Sequence, residues 1–175
     1  MTYFETERLI FRNWHNADLA HYIELNRNFE VRRYFPDVLS KERSERIFDI
    51  MYKEIERDKH GLFAVTLKDG TFIGFIGTLF AEYDASIPHS PFYEIGWRIL
   101  PQFTGNGYAT EGARGLLDYM RMLNIEDLYA YTSIYNIKSI NVMKKIGMKD
   151  VTAFVHPHYP DEQILYRSVV NDLNQ

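Results

Sequence analysis

Two features within twenty residues have reactive potential. Glu94 offers a carboxylate in a stretch of β-formers, Tyr93 to Leu100, that has no turn residue except Gly96. Beyond Pro101, the run Thr104-Gly105-Asn106-Gly107-Tyr108-Ala109-Thr110 places two glycines one residue apart where an apolar pattern of helical period begins. A glycine turn feeding a helix leaves several backbone N–H groups unpaired and pointing the same way, an anion site most often used for phosphate. Taken alone, Gly-x-Gly reads more simply as an ordinary strand-to-helix turn. Glu94 alternates with Gly96 on one strand face, so its carboxylate sits beside a gap with no side chain. A carboxylate in such a cleft takes a raised pKa and acts as a general base, directly or through a water. The competing reading is a structural ion pair with Arg98 on the same face.

Two phosphate-binding patterns fit poorly. A dinucleotide fold wants a third glycine where Thr110 stands, and an acidic residue at the end of the next strand. Glu126 and Asp127 precede that strand instead. A P-loop wants Gly-Lys-Ser/Thr, which is absent. His156-Pro157-His158 suggests a metal only weakly, since no further ligand stands in register. A hairpin loop over a pocket is the better reading, and no metal is expected.

The elements that must hold these groups follow from period and punctuation. Glu7 to Asn13 is a strand with Leu9 and Phe11 on one face. Asp18 is the expected cap of a helix carrying Leu19, Tyr22, Ile23 and Phe29. Arg27 to Pro36 is a polar and aromatic connection. Lys41 to Arg57 is a second helix with Ile47, Ile50, Met51 and Ile55 as its apolar stripe. Leu62 to Lys68 and Thr71 to Phe80 are strands joined by Asp69-Gly70, a hairpin signal. Gly74 and Gly77 mark bulges or close backbone approach. After the loop from Glu82 to Pro91 comes the Glu94 strand, which Pro101 ends. A helix then carries Ala109, Ala113, Leu116, Leu117, Met120 and Leu123. Leu128 to Ile134 is a strand whose Tyr129, Tyr131 and Ser133 share a face. Asn136 caps a helix that Gly147 stops. Val151 to Val155 and Gln163 to Val170 are the last strands. The order is β-α-α-β-β-β-α-β-α-β-β.

The glycine stretch resembles motif A of the GCN5-related N-acetyltransferases, whose loop reads Gln/Arg-x-x-Gly-x-Gly/Ala. Thr104 departs from it, standing where the family has Gln or Arg. Glu94-Ile95-Gly96 upstream, Gly107-Tyr108-Ala109-Thr110-Glu111 downstream and Leu9-Ile10-Phe11-Arg12-x-Trp14 look like the RimJ/RimL-like branch, which acetylates ribosomal-protein N-termini. Asn136 to Met148 resembles the family's second signature, Asn-x-x-Ser/Ala-x-x-x-x-x-Lys-x-Gly-Phe/Met. The resemblance covers nearly the whole chain. It implies one α+β domain over residues 1–175, with a mixed, mostly antiparallel sheet of six to seven strands, splayed at its centre and flanked by about four helices.

It also implies acetyl-CoA as donor. The backbone from Thr104 to Ala109 would hold the pyrophosphate, with Thr110 beside it. Trp97 and Ile99 mark the strand that pairs with the pantetheine arm, and a backbone N–H there would polarise the thioester carbonyl. Asn136, Ser139 and Lys144 are the cofactor-side candidates on the later helix. Many relatives carry a tyrosine acid where this chain has Met143, so Ser139 is the family-matched hydroxyl left to serve the leaving sulfur. It competes with a purely local role, bonding its own backbone. Tyr135 and Tyr159 are outside candidates for the acid. Tyr34 and Phe35 border the acceptor pocket by the same analogy, with Glu94 and Tyr159.

Composition removes other classes. The chain has 175 residues, no cysteine, and a net charge of −4. Without cysteine there is no disulfide or thiolate nucleophile, which favours direct transfer in a ternary complex. No Lys/Arg block suggests nucleic acid. No apolar run approaches a membrane span and the N-terminus has no basic-then-apolar signal, so a cytoplasmic protein is expected. The acceptor is expected to be an amine, on a protein N-terminus or a small molecule. A homodimer through open sheet edges is compatible with the pattern. The rival from another class is a non-catalytic acyl-CoA-binding module, which Thr104 and Met143 would suit.

Overall fold

The computed structural model describes residues 1–169. One sheet of eight strands runs through it, in the order β1-β2-β3-β4-β5-β6-β8-β7. The strands are β1 Thr2–Glu5, β2 Leu9–Arg12, β3 Leu62–Leu67, β4 Phe72–Ala81, β5 Phe92–Ile99, β6 Leu128–Ser133, β7 Lys149–Val155 and β8 Glu162–Arg167. The helices are α1 Leu19–Arg27, α2 Lys41–Asp58, α3 Tyr108–Met122 and α4 Ile137–Lys145. The mostly antiparallel sheet and four helices agree with the expected class, but there is one strand more. β1 is only four residues, too short to show a period. It pairs antiparallel with β2 as a hairpin. The end of the expected last strand, Val170, lies outside the described residues.

All neighbouring strands pair antiparallel except β5 and β6. These two run parallel and pair only at Tyr93 with Leu128 and Glu94 with Tyr129. Beyond Glu94 they part. Ile95 to Ile99 stay on β4, and Ala130 to Ser133 stay on β8. The sheet is therefore split at its centre, with Glu94 at the point of the split.

The main core spans both halves of the sheet, with Leu128 and Ala130 of β6 and Tyr166 of β8 in it. Leu9, Phe11, Phe63, Ile76, Leu116 and Met120 belong to the main core, where α3 covers one face. Phe75, on the opposite face, meets Tyr22 of α1, as does Trp14. A second cluster of Ile87, Phe92, Tyr129, Phe154 and Leu165 lies on the β6–β8–β7 side. Gly77 shows why a glycine is needed inside β4: a Cβ there would lie 1.9 Å from the Gly61 carbonyl oxygen.

Several expectations need correction. Asp18 stands at the N-cap position of α1, as expected, but makes no side-chain cap bond there; it ends a 3-10 turn, Asn16–Asp18, with its carboxylate bound to Arg12 at 2.6 and 2.9 Å and to the His15 N–H at 2.7 Å. Burying the acid is repaid by this paired cation. Phe29 lies beyond the end of α1 and is 74% exposed. Ile50 is 53% exposed; Phe48 takes the inward position on α2 beside Met51 and Ile55. A strict i, i+3, i+4 count misjudged the phase of the stripe.

Substituting Gly77→Ala should cost at least about 1–3 kcal/mol, because backbone cannot yield as a side-chain tip does. Gly96→Ala meets nothing within 4 Å and should leave denaturant stability close to that of the parent. Equal losses in the two variants would contradict this packing.

Candidate active site

Glu94, Gly96 and Arg98 share one face of β5, and the parallel pairing brings Tyr129 and Tyr131 of β6 onto that face beside Glu94. The chain after α1 and the β7–β8 loop close over it. Tyr159, from that loop, packs against Phe35 at 6.0 Å between ring centroids and against Tyr131 at 6.0 Å. His156 stands edge-on to Tyr159 at 4.5 Å and stacks on Tyr131 at 5.9 Å. Its Nδ1 accepts from the His158 N–H at 3.1 Å.

Glu94 keeps part of its surface reachable, yet enclosure pushes its pKa up to about 8. No charged neighbour contributes to that shift, so the ion pair with Arg98 is not formed. Arg98 instead donates from Nη1 to Asn26 Oδ1 at 2.8 Å and lies over the Phe35 ring at 4.4 Å. Burial raises the Tyr131 hydroxyl first of all, and the Glu94 charge raises it further. Tyr159 is raised by the same two causes, against the pull of Tyr131, Arg98 and Arg32. Two protonated phenols thus face one carboxyl group that titrates near neutral pH.

The glycine loop lies at the far end of β5. Gly105 and Gly107 take φ of 81° and 79°, in the left-handed region. Gly107 is the residue before α3 and offers no side-chain cap, so the first amides of the helix have no internal partner. Thr104, Asn106 and the glycines are exposed, and Tyr108, Ala109 and Thr110 are half-buried. Arg8 reaches the same place: Nη1 donates to the Asn106 carbonyl at 3.0 Å, and Nε to Glu111 at 2.6 Å. Its guanidinium lies over the Tyr108 ring at 4.6 Å. Free amides, an open loop and an adjacent cation fit a pyrophosphate.

The other predicted residues are placed as follows. Trp97 and Ile99 turn their side chains into the main core, so only their backbone edge faces the split. Asn136 accepts from the Ser139 N–H at 3.4 Å as the cap of α4, and donates to Ser139 Oγ at 3.1 Å and Thr132 Oγ1 at 2.9 Å. Its capping role is thus formed, and Ser139 keeps its own hydroxyl proton free to donate. Met143 is buried in the core. Lys144 is exposed in the last turn of α4, roughly 12 Å along the axis from Asn136. Tyr34 is half-buried, and its hydroxyl donates to the Tyr135 carbonyl at 3.3 Å. Tyr135 is 63% exposed. No group of three or more metal-ligating side chains occurs among the described residues.

Sequence reasoning missed Tyr131, Arg32 and Arg8 as site residues. The shared Tyr129–Tyr131 face was visible, but its register against Glu94 was not. Two surface hollows of about 430 and 340 Å³ lie beside β1, away from Glu94.

A model of the acetyltransferase (GNAT) domain matches residues 8–149. The chain belongs to this family. An uncharacterized N-acetyltransferase of Bacillus subtilis, YnaD, is 33% identical over 146 residues, covering 82% of this chain and 81% of that protein. A GNAT-family acetyltransferase from Bacillus anthracis superposes with a TM-score of 0.79 at 25% identity, over 97% and 98% of the two chains. Two solved structures of lower identity share the fold and contain CoA. One is a spermidine N-acetyltransferase from Vibrio cholerae with CoA and spermine, at TM-score 0.68, 20% identity and 91% and 92% coverage. The other is RimL, a ribosomal L7/L12 α-N-protein acetyltransferase, at 0.76, 14%, and 97% and 98%. This GNAT chain is an N-acetyltransferase.

The Glu94 environment has a stability signature. In the unfolded chain Glu94 ionises in the ordinary carboxylate range, and in the folded chain near 8. Between those values the folded state holds the extra proton, so stability falls as pH rises through the window and stays reduced above it. Glu94→Gln should remove that loss, melting higher than the parent at pH 9 and not at pH 4. Identical pH dependence of melting in the two proteins would contradict a carboxyl group so enclosed.

Proposed function

We propose that this GNAT domain, spanning residues 1–175, acetylates a primary amine by direct transfer in a ternary complex, with Glu94 as general base. The observation that carries the reading is Glu94 at the point where β5 and β6 part, with its pKa moved close to neutrality. A base poised near the working pH removes a proton from an ammonium group most effectively.

Acetyl-CoA supplies the activated thioester. The amides of Gly105 to Ala109, with Arg8 beside them, hold its pyrophosphate. The β5 edge beyond Glu94 has no strand partner across the split, so it is free to pair with the pantetheine arm. An N–H on that edge polarises the thioester carbonyl. Glu94 takes the amine proton, directly or through a water. The thiolate takes its proton from a hydroxyl, for which Ser139 and the Tyr131–Tyr159 pair are the candidates. Tyr34, Phe35 and Tyr159 line the acceptor side, and Asn136 and Lys144 lie on the cofactor side. Holding both reactants together supplies a large share of the rate by itself.

The acceptor in this reading is a protein N-terminal amine or a small-molecule amine, in a cytoplasmic setting. Self-association would use the open edge of β7, of whose seven residues only Phe154 is buried.

Glu94→Gln should lower kcat by about 10²–10⁴-fold, while the dissociation constant for CoA stays within about twofold. The limb of the pH–rate profile with an apparent pKa near 8 should vanish with it. CoA binding with no thiol release from any amine would favour the non-catalytic acyl-CoA-binding reading. Gly107→Val should weaken CoA by about tenfold or more, because that residue's φ of 79° is strained for a branched side chain.

A further inference from the structure

The transfer chemistry makes no use of two cations in the same cleft. The guanidinium carbons of Arg98 and Arg32 lie 4.4 and 4.9 Å from the centroid of the same Phe35 ring. Neither residue forms a salt bridge among the described residues. Arg98 uses Nη1 on Asn26, while its Nε is sealed with no hydrogen-bond partner. Arg32 is 9% exposed and uses Nε on the Asp37 backbone carbonyl. The Asp37 carboxylate is exposed and pulls on Arg32 only from beyond salt-bridge distance. Burial and the charge of Arg32 push Arg98 down to about 10, still a cation at neutral pH.

Buried guanidinium groups are normally paired, because desolvating a charge without a partner is costly. Arg is also the side chain whose planar fork fits a carboxylate in two parallel bonds. Tyr159 lies within reach of all these charges, since burial and Glu94 raise its pKa while Arg98 and Arg32 lower it, and its ring packs on Phe35 beneath both arginines. Glu94 and Arg98 are four residues apart on one face of β5, or about 13 Å along the strand.

We propose that the acceptor is an amine that also carries a carboxylate, with the amine at Glu94 and the carboxylate on Arg98 and Arg32. The proposal rests on the N-acetyltransferase reading of this cleft and narrows its substrate class. Two sources share the chemistry: a peptide N-terminus with an acidic side chain close by, and a small amino acid with a spaced carboxylate. A polyamine lacks the anion and brings further positive charge to the two arginines.

The test is kcat/KM by thiol release for matched acceptors: Ser-Glu-Ala-Ala-amide against Ser-Gln-Ala-Ala-amide, 6-aminohexanoate against its amide, and spermidine. The carboxylate member of one pair should be preferred by about tenfold or more, since a site built for a polar group rejects the analogue lacking it. The pair that shows the preference identifies the source. Arg98→Met should bring the acidic acceptor down to the rate of its neutral partner, with CoA binding retained as evidence of folding. If Arg98→Met does not fold, Arg32→Gln serves in its place. Equal rates within both pairs, or a preference for spermidine, would overturn the proposal and leave the transferase reading standing. Turnover of no amine at all would remove both.

Discussion

The parting of β5 from β6 is the constraint on which the site depends. In a continuous sheet every residue of β5 would have ladder partners on both sides. Here the pairing with β6 ends at Glu94 and Tyr129, after two residue pairs. The main core under α3 reaches across both halves, taking in Leu128 and Ala130 of β6 and Tyr166 of β8, while a smaller cluster with Tyr129, Phe154 and Leu165 lies on the β6–β8–β7 side. The split leaves a free backbone edge, and it opens a cleft at a fixed place in the register. A one-residue slip of β6 would turn Tyr129 and Tyr131 to the other face.

Electrostatics then divides the cleft. No cation compensates Glu94, so enclosure alone sets its pKa. Arg98, the nearest cation on its face of β5, is taken up by Asn26 and Phe35. Keeping these charges apart leaves a protonatable carboxyl at Glu94 and an unpaired guanidinium at Arg98 among the described residues. Past the C-terminal end of β5, the glycine loop needs no ionised side chain of its own. Its amides and Arg8 are fixed by backbone geometry and by Glu111. Thr104, which departs from the family pattern, donates only to the Pro101 carbonyl, at 2.8 Å. The loop's shape therefore does not depend on the missing Gln or Arg.

What could be read from the sequence was mainly local. The glycine turn, the Asn136 cap, the Gly147 stop and the alternation along β5 are each written within a few residues. The element order also followed, apart from the four-residue β1. What could not be read was register. That Tyr131 stands beside Glu94 follows from a parallel pairing between strands about thirty residues apart in sequence. That Arg98 turns to Asn26, 72 residues earlier, rather than to Glu94, follows from where α1 lies on the sheet. Periodicity shows which residues share a face but not which residues of another strand oppose them. For the same reason the candidate base could be singled out early, while the fate of its supposed partner could not.

The proposed chemistry turns on the state of one proton. Carbon-13 labelling of the glutamate carboxyl groups, with Glu94→Gln to assign the resonance, would give its titration directly by NMR. A midpoint near 8 is expected for the free enzyme, well apart from the other glutamates. A midpoint in the ordinary carboxylate range would mean that Glu94 is fully ionised and solvated at neutral pH, and would contradict its role as a base tuned by the split sheet.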